Sequence, residues 1–281
     1  MEQDIAIGPS TGWLFAKIGN DLEDHCRVLD DANATAAEMV CHDQARMDAM
    51  LSGAILSDNL AYRALHLGSF DEFESFSGPQ QQSHIQNLSD VYARHDLYTT
   101  VIHPEDMQPD AICMLQQEGV PFAVENVYRP QSVKNPIQQI VEIMRTYGIP
   151  AVLDLQHAAE IASNSRFDVP KVVRALSNAM FSVTHIQHLH LSGEVVKNAQ
   201  KVAKHAQLQV ATNRSQILDA LHDLLVDMRD VPIILEGDPL PGIENLRDGE
   251  VLNQHERRQR IARATDNIAE EIAIVRKELR S

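Results

Sequence analysis

The sequence predicts an α/β chain folded as a (β/α)8 barrel, the TIM-barrel architecture, with residues 1–281 forming one domain that ends in a long helix. Three observations lead there. Eight short apolar runs recur along the chain, each bounded by Pro, Gly or polar residues. Stretches with helical periodicity lie between them, the order expected of a parallel sheet with crossover helices. Six of the runs close on His, Glu or Asp, the second of them on His42, and a barrel of this kind gathers the C-terminal ends of its strands on one active face.

The first run is residues 5–8 (IAIG). Trp13 follows closely in PSTGW, where it can line a pocket or pack against the barrel mouth. The second and third runs are 37–42 (AEMVCH) and 61–66 (AYRALH). The fourth is 98–103 (YTTVIH) and the fifth 120–125 (VPFAVE). Residues 135–147 (NPIQQIVEIMRTY) then put Ile137, Ile140, Val141 and Met144 on one helical stripe, and Gly148 stops it. The sixth run is 149–154 (IPAVLD) and the seventh 183–191. Residues 213–228 follow as a helix with Ile217, Leu218, Leu221, Leu224 and Leu225 on one face. The eighth run is 231–236 (VPIILE), and residues 251–279 read as the long terminal helix. An open doubly wound sheet is the alternative to closure. No Gly-x-Gly-x-x-Gly follows the first strand, so a dinucleotide fold finds no support.

Composition narrows the function. Lys and Arg total 24 against 40 Asp and Glu, a formal charge of −16. Phosphate backbones are held by clustered Lys and Arg, so a nucleic-acid partner is not expected. At 44% hydrophobic and 23% charged the chain has the makeup of a folded globular protein. Cys26, Cys41 and Cys113 are few, odd in number and far apart. That pattern fits free thiols in a reducing compartment. With no signal peptide and no membrane span in view, the expected location is cytoplasmic. The expected ligand is a small molecule, and a homo-oligomer is left open.

The residues closing the runs carry the chemistry. His66, His103, Glu125, Asp154 and Glu236 each end a strand. Buried carboxylates and imidazoles cost free energy unless paired or metal-bound. In the seventh run (HIQHLHLSG) alternation puts His188 and His190 on one face and His185 on the other. His190 is the preferred ligand because it lies nearest the strand end; His188 is expected deeper, as a supporting or core residue. His157 follows Asp154 by three residues, and His205 is expected in the loop after the seventh strand. Mixed imidazole and carboxylate donors suit Zn, Mn, Fe or Co. The supply allows one to three divalent ions, with Glu125 as a candidate bridge.

As an ordered series, HLGSF from His66, VIHP ending at Pro104, VEN around Glu125, LDLQH ending at His157, HLS from His190 and ILE ending at Glu236 resemble the xylose isomerase-like TIM-barrel superfamily. The resemblance covers nearly the whole chain. It groups endonuclease IV, sugar isomerases and epimerases, and multinuclear iron oxidases. It implies that Glu125, Asp154, His190 and Glu236 share one metal, with Glu125 and Glu236 as the acid–base pair. It also implies a second metal on His66, His103 and Glu125 in the nuclease pattern. A third nuclease ion would use His157 and an Asp-x-His, which here reads Ala203-Lys-His205 and lacks the Asp. In the epimerase pattern His157 contacts substrate instead. The Arg that some ketose epimerases carry after the His190 position has no counterpart, Lys197 being the nearest basic residue.

The first expectation is therefore a divalent-metal-dependent isomerase or epimerase acting on a small sugar or polyol-type substrate. The alternatives are an endonuclease IV-like phosphodiesterase, a multinuclear iron oxidase resembled by the HLSG and Glu236-Gly-Asp238 segments, and a non-catalytic binding barrel. His25, His42, His84, His95, His222 and His255 are expected to be surface or packing residues. Asp30-Asp31 and Arg257-Arg258 are expected to be solvated.

Overall fold

The computed structural model describes residues 5–67, 78–104, 109–127, 135–165, 167–197, 200–228, 230–247 and 250–280. Its strands in chain order are β1 (Ile7–Pro9), β2 (Ala36–Cys41), β3 (Tyr62–Leu67), β4 (Thr99–Ile102) and β5 (Phe122–Glu125), followed by β6 (Ala151–Asp154), β7 (Ile186–Leu191), β8 (Gly193–Lys197), β9 (Gln200–Ala206) and β10 (Ile233–Leu235). All but β8 and β9 form one parallel sheet in the order β1-β10-β7-β6-β5-β4-β3-β2. The ends of that order meet. The Thr35 N–H donates to Ile7 O at 2.9 Å and the Thr11 N–H to Glu38 O at 2.7 Å, while Ser10 bridges Glu38 in parallel. The chain is thus a (β/α)8 barrel. Gly8 permits the closure: a Cβ there would sit 1.6 Å from Ala36 O, so no side chain fits where β1 passes β2.

Helices fill the crossovers: α1 (Gly12–Lys17), α2 (Leu22–Asp31), α3 (Gln44–Ser52), α4 (Gly78–Arg94), α5 (Pro109–Gln117), α6 (Pro136–Tyr147), α7 (Leu155–Ser165), α8 (Val169–Phe181), α9 (Arg214–Leu225) and α10 (Gln254–Glu278). The α6 helix begins and ends where its sequence dictates. The Asn135 side chain accepts the Ile137 N–H, Pro136 sits in the first turn, and Gly148 turns left-handed at φ 65°. Ile140 and Met144 are fully buried beneath it. Ile217, Leu218, Leu221 and Leu224 form the buried face of α9. On α10 the buried stripe is Ile261, Ala264, Ile268, Ile272 and Val275, with one acid, Glu271, among them. Among the described residues no helix is long and apolar enough to cross a membrane.

Two departures from the sequence reading have local causes. The fifth and seventh strands start late because the helices before them finish late. The Val120 N–H still donates to Leu115 O, and those of Val183 and Thr184 donate to Met180 O. The segment after β7, expected as a loop, is an antiparallel hairpin of β8 and β9. His205 is therefore a strand residue, at φ 48°. Residues Gly68, Ser69 and Phe70 of the HLGSF motif lie outside the described residues.

Side chains inside the barrel form small clusters separate from the helix-to-sheet core. Ala36, Tyr62, Ala64 and Ile234 make one, and Val101, Ala123 and Val152 another. These mark the inward positions of each strand. With period two, the next inward position toward the mouth is two residues on. That step leads from Ala36 to Glu38, Ala64 to His66, Val101 to His103 and Ala123 to Glu125. It leads likewise from Val152 to Asp154 and Ile234 to Glu236.

Candidate metal centre

Strand alternation therefore brings the chemistry-bearing residues to one place. Ligand atoms of Glu125, Asp154, His190 and Glu236, from β5, β6, β7 and the end of β10, lie within 4.8 Å of one another. His190 Nδ1 stands 3.4 Å from Glu125 Oε1 and 3.3 Å from Glu236 Oε1. Yet His190 Nδ1, Asp154 Oδ2 and Glu236 Oε2 are buried with no hydrogen-bond partner. Polar atoms this deep are normally satisfied, and donors that converge without bonding to each other fit a cation between them.

Neighbouring groups hold the quartet in shape. Asp154 Oδ1 accepts the His157 N–H at 2.5 Å, capping the start of α7 and leaving Oδ2 to face its neighbours. Asn126 clamps the Asp154 backbone, accepting its N–H at 2.7 Å and donating to its carbonyl at 3.0 Å. Burial pushes Asp154 up to about 7, helped by the charges on Glu236 and Glu125. Burial also favours neutral Glu125, but the imidazoles around it, His190 first, outweigh that and hold its carboxyl well below the usual range. For Glu236 burial is likewise outweighed, by His190 and His205, which bring it to about 2. His190 answers in kind: burial opposes its charge, but Glu236, Glu38 and Glu125 raise it well above an ordinary imidazole.

A second set shares Glu125. His66 Nε2 and His103 Nε2 approach Glu125 Oε2 at 3.1 and 3.3 Å. His157 Nε2 lies 3.9 Å from Glu125 Oε1, with its Nδ1 side on Glu160 at 3.2 Å. Burial would lower His157, but Asp154 and Glu160 overcome that and raise it to about 9. His205 Nδ1 stands 3.4 Å from Glu236 Oε2, and the His157 and His205 rings meet edge-on at 5.7 Å. The structure thus brings all eight sequence-nominated residues to one end of the barrel. His190 is the β7 member of the quartet, while His188 lies behind it, ring to ring at 4.9 Å. His185 is exposed on the opposite face.

Two nearby residues escaped the sequence reading. Glu38 is fully buried at the centre of the barrel, 2.9 Å from His190 Nε2. It sits in the middle of the apolar run AAEMVC, so a search of strand ends passes over it. His42, expected among surface or packing residues, is exposed; it follows β2 at the rim, where its ring stands 6.2 Å from that of His66. Together with Trp13, Arg46, His66, His205 and Glu236 it lines a cleft of about 240 Å³ over the centre. Trp13 donates its Nε1–H to Glu236 O at 2.9 Å, which fixes the strand end below it. Lys17, also buried, bonds Asp238 at 2.5 Å and holds the same turn. His25 and His95 are packing residues, bonded to Gly19 O and Met50 O. Asp30 and Asp31 are exposed, as is Arg258. Arg257 is not simply solvated; it pairs with Asp21 and Asp24 and ties α10 to α2.

No protein-family model and no curated protein matches the chain. Solved structures do. Endonuclease IV from Thermus thermophilus aligns over 98% of this chain and 99% of its own, at 18% identity and TM-score 0.56. D-allulose 3-epimerase from Methylomonas sp., solved in complex with D-allulose, aligns over 98% and 97% at 12% identity and TM-score 0.55. A xylose isomerase domain-containing protein from Salmonella typhimurium aligns over 98% of both chains at 11% identity and TM-score 0.56. At these identities the likeness establishes the fold alone, a (β/α)8 barrel shared with these proteins.

Proposed function

On the barrel fold of xylose isomerase-like proteins, we propose that this chain is a divalent-metal-dependent enzyme that isomerises or epimerises a small sugar or polyol-type substrate. The observation that carries the reading is the quartet Glu125, Asp154, His190 and Glu236, with its converging, unpartnered buried atoms. Three carboxylates and one imidazole suit Zn, Mn, Fe or Co. Bound there, such an ion supplies Lewis acidity that polarises a substrate carbonyl and acidifies the neighbouring C–H.

The chain's own groups do the rest. Glu125 on β5 and Glu236 after β10 are separated around the barrel by β6 and β7. They therefore reach a bound substrate from two sides, one removing a proton and the other returning it on the opposite face. Held on Glu160 through Nδ1, His157 presents Nε2 toward Glu125, where a substrate oxygen can accept a hydrogen bond. Trp13 and His42 wall the cleft above. The net charge of −16 leaves the protein without the overall basic character of a nucleic-acid binder.

A second reading, phosphodiester hydrolysis of the endonuclease IV kind, is favoured by one observation. The set His66, His103 and Glu125 offers a second ion a place beside the first. Metal content per chain, measured by mass spectrometry on protein purified without added metal or chelator, separates the two. About one equivalent, lost in Glu236→Ala, supports the isomerase. Substrate screening on ketoses and their phosphates in deuterated water then follows. Exchange at the substrate carbon that survived loss of both Glu125 and Glu236 would sink the mechanism. Two or more equivalents, one of them lost in His66→Ala or His103→Ala, support hydrolysis, tested on an abasic duplex. Ligand binding with neither metal nor turnover would leave a non-catalytic barrel.

A further inference from the structure

Beside the quartet, Glu38 of β2 meets His188 and His190 of β7, all three fully buried, and its carboxylate also lies within 4.8 Å of ligand atoms of His66 and Glu236. Glu38 Oε2 lies 2.9 Å from His190 Nε2 and 3.5 Å from His188 Nε2. His188 Nδ1 in turn lies 2.8 Å from the Tyr62 hydroxyl. The two Nε2 atoms stand 3.0 Å apart; when Tyr62 donates its O–H to His188 Nδ1, His188 carries its proton on Nε2, and of the two rings it is His190 whose Nε2 is hydrogen-bonded to Glu38. On the far edge of the His190 ring, Nδ1 points between Glu125 and Glu236 with no hydrogen-bond partner.

A carboxylate at this depth is costly to bury, and an apolar side chain of similar size would fill the space without that penalty. Glu38 is thus better explained by what it does to His190. A histidine that binds a metal through one nitrogen is oriented by the partner of the other, which fixes the tautomer and the ring angle. We infer that Glu38 is a positioning residue of the metal centre. Its carboxylate holds the His190 Nε2–H and so presents the Nδ1 lone pair to a divalent cation in the quartet. His188 and Tyr62 brace it from below. The inference rests on the metal-centre reading above.

The test strips the full-length protein with chelator and titrates it with Co²⁺ alone. It reads the dissociation constant by competition with a chromogenic chelator, and the ligand geometry from the visible Co²⁺ absorption bands. In Glu38→Gln the dissociation constant should rise by about 10- to 100-fold, with altered bands. Glu38→Asp keeps the charge but withdraws the oxygen, and should fall between Glu38→Gln and wild type. Should Glu38→Gln not fold, Glu38→Asp decides: a wild-type constant and spectrum overturn the inference. A purely structural role would lower the melting temperature of the metal-free variants and leave constant and spectrum unmoved, which also overturns it. Wild-type protein that takes up no Co²⁺ overturns the metal-centre reading and this inference together. Wild-type uptake with an unaffected Glu38→Gln overturns the inference alone.

Discussion

The apolar stripe of α10 contains one carboxylate, and its burial has a measurable consequence. Glu271 is 1% exposed, and its Oε1 accepts the Leu208 N–H at 2.8 Å. Burial dominates, partly opposed by the Leu208 and Gln207 hydrogen bonds, and raises the carboxyl from 4.5 to about 7. The folded state therefore binds the proton more tightly than the unfolded chain. The stability that protonated Glu271 permits is complete below about pH 4.5 and is lost as pH rises through about 7. At about 1.4 kcal/mol for each pH unit, the loss comes to about 3 kcal/mol. The Glu271→Gln variant keeps an oxygen for the Leu208 N–H and cannot ionise. Urea unfolding of both proteins at about pH 5 and about pH 8, with chelator present to keep metal out, isolates this group. The variant should gain about 2.5 kcal/mol on wild type between the two conditions, part of the loss having occurred already by about pH 5. A stability difference that stays the same at both pH values refutes the reasoning, because the Glu271 charge would then cost nothing to bury.

Three further outcomes follow from the geometry. Adding Mn²⁺ or Zn²⁺ to chelator-treated protein should raise the melting temperature, corresponding to about 4 kcal/mol at a thousandfold excess over the dissociation constant; an unchanged melt would count against the quartet. Gly8→Val should cost more than about 4 kcal/mol, since its Cβ would overlap Ala36 O where the barrel closes, and a wild-type urea midpoint would contradict that account. Asn135→Ala should cost about 1 kcal/mol by removing the cap on the Ile137 N–H. Gly148→Ala should cost about 1–2 kcal/mol by forcing a side chain to φ 65°. Both are read from urea midpoints, and a change below a few tenths of a kcal/mol in either would reject the capping argument for α6.

Much of the site was legible in the sequence because a parallel barrel obeys a simple rule. Its strands end where its chemistry begins. His66, His103, Glu125, Asp154, His190 and Glu236 each lie within the last two positions of a strand or directly after it. A reader who finds the strands has already found these residues. The choice of His190 over His188 was legible for the same reason, since position along β7 sets depth.

Other features depended on contacts between distant segments. Glu38 lies inside a run in which every residue is buried, AAEMVC. Nothing local separates a residue facing the barrel interior from one facing the helices. Register decides it: Glu38 pairs with Ala64 of β3, and barrel closure sets it against His190 of β7, 152 residues along the chain. The β8–β9 hairpin carries no strong alternation of its own and is fixed by partners such as the Asn213 side chain, which accepts the Glu194 N–H. His42 gains its place only because β2 carries it to the rim beside His66. The sequence alone determined which strands exist and what stands at their ends, because hydrophobic periodicity and strand-end chemistry are local. Only the tertiary structure decided which buried carboxylate meets which imidazole, because that depends on the register of strands far apart in the chain.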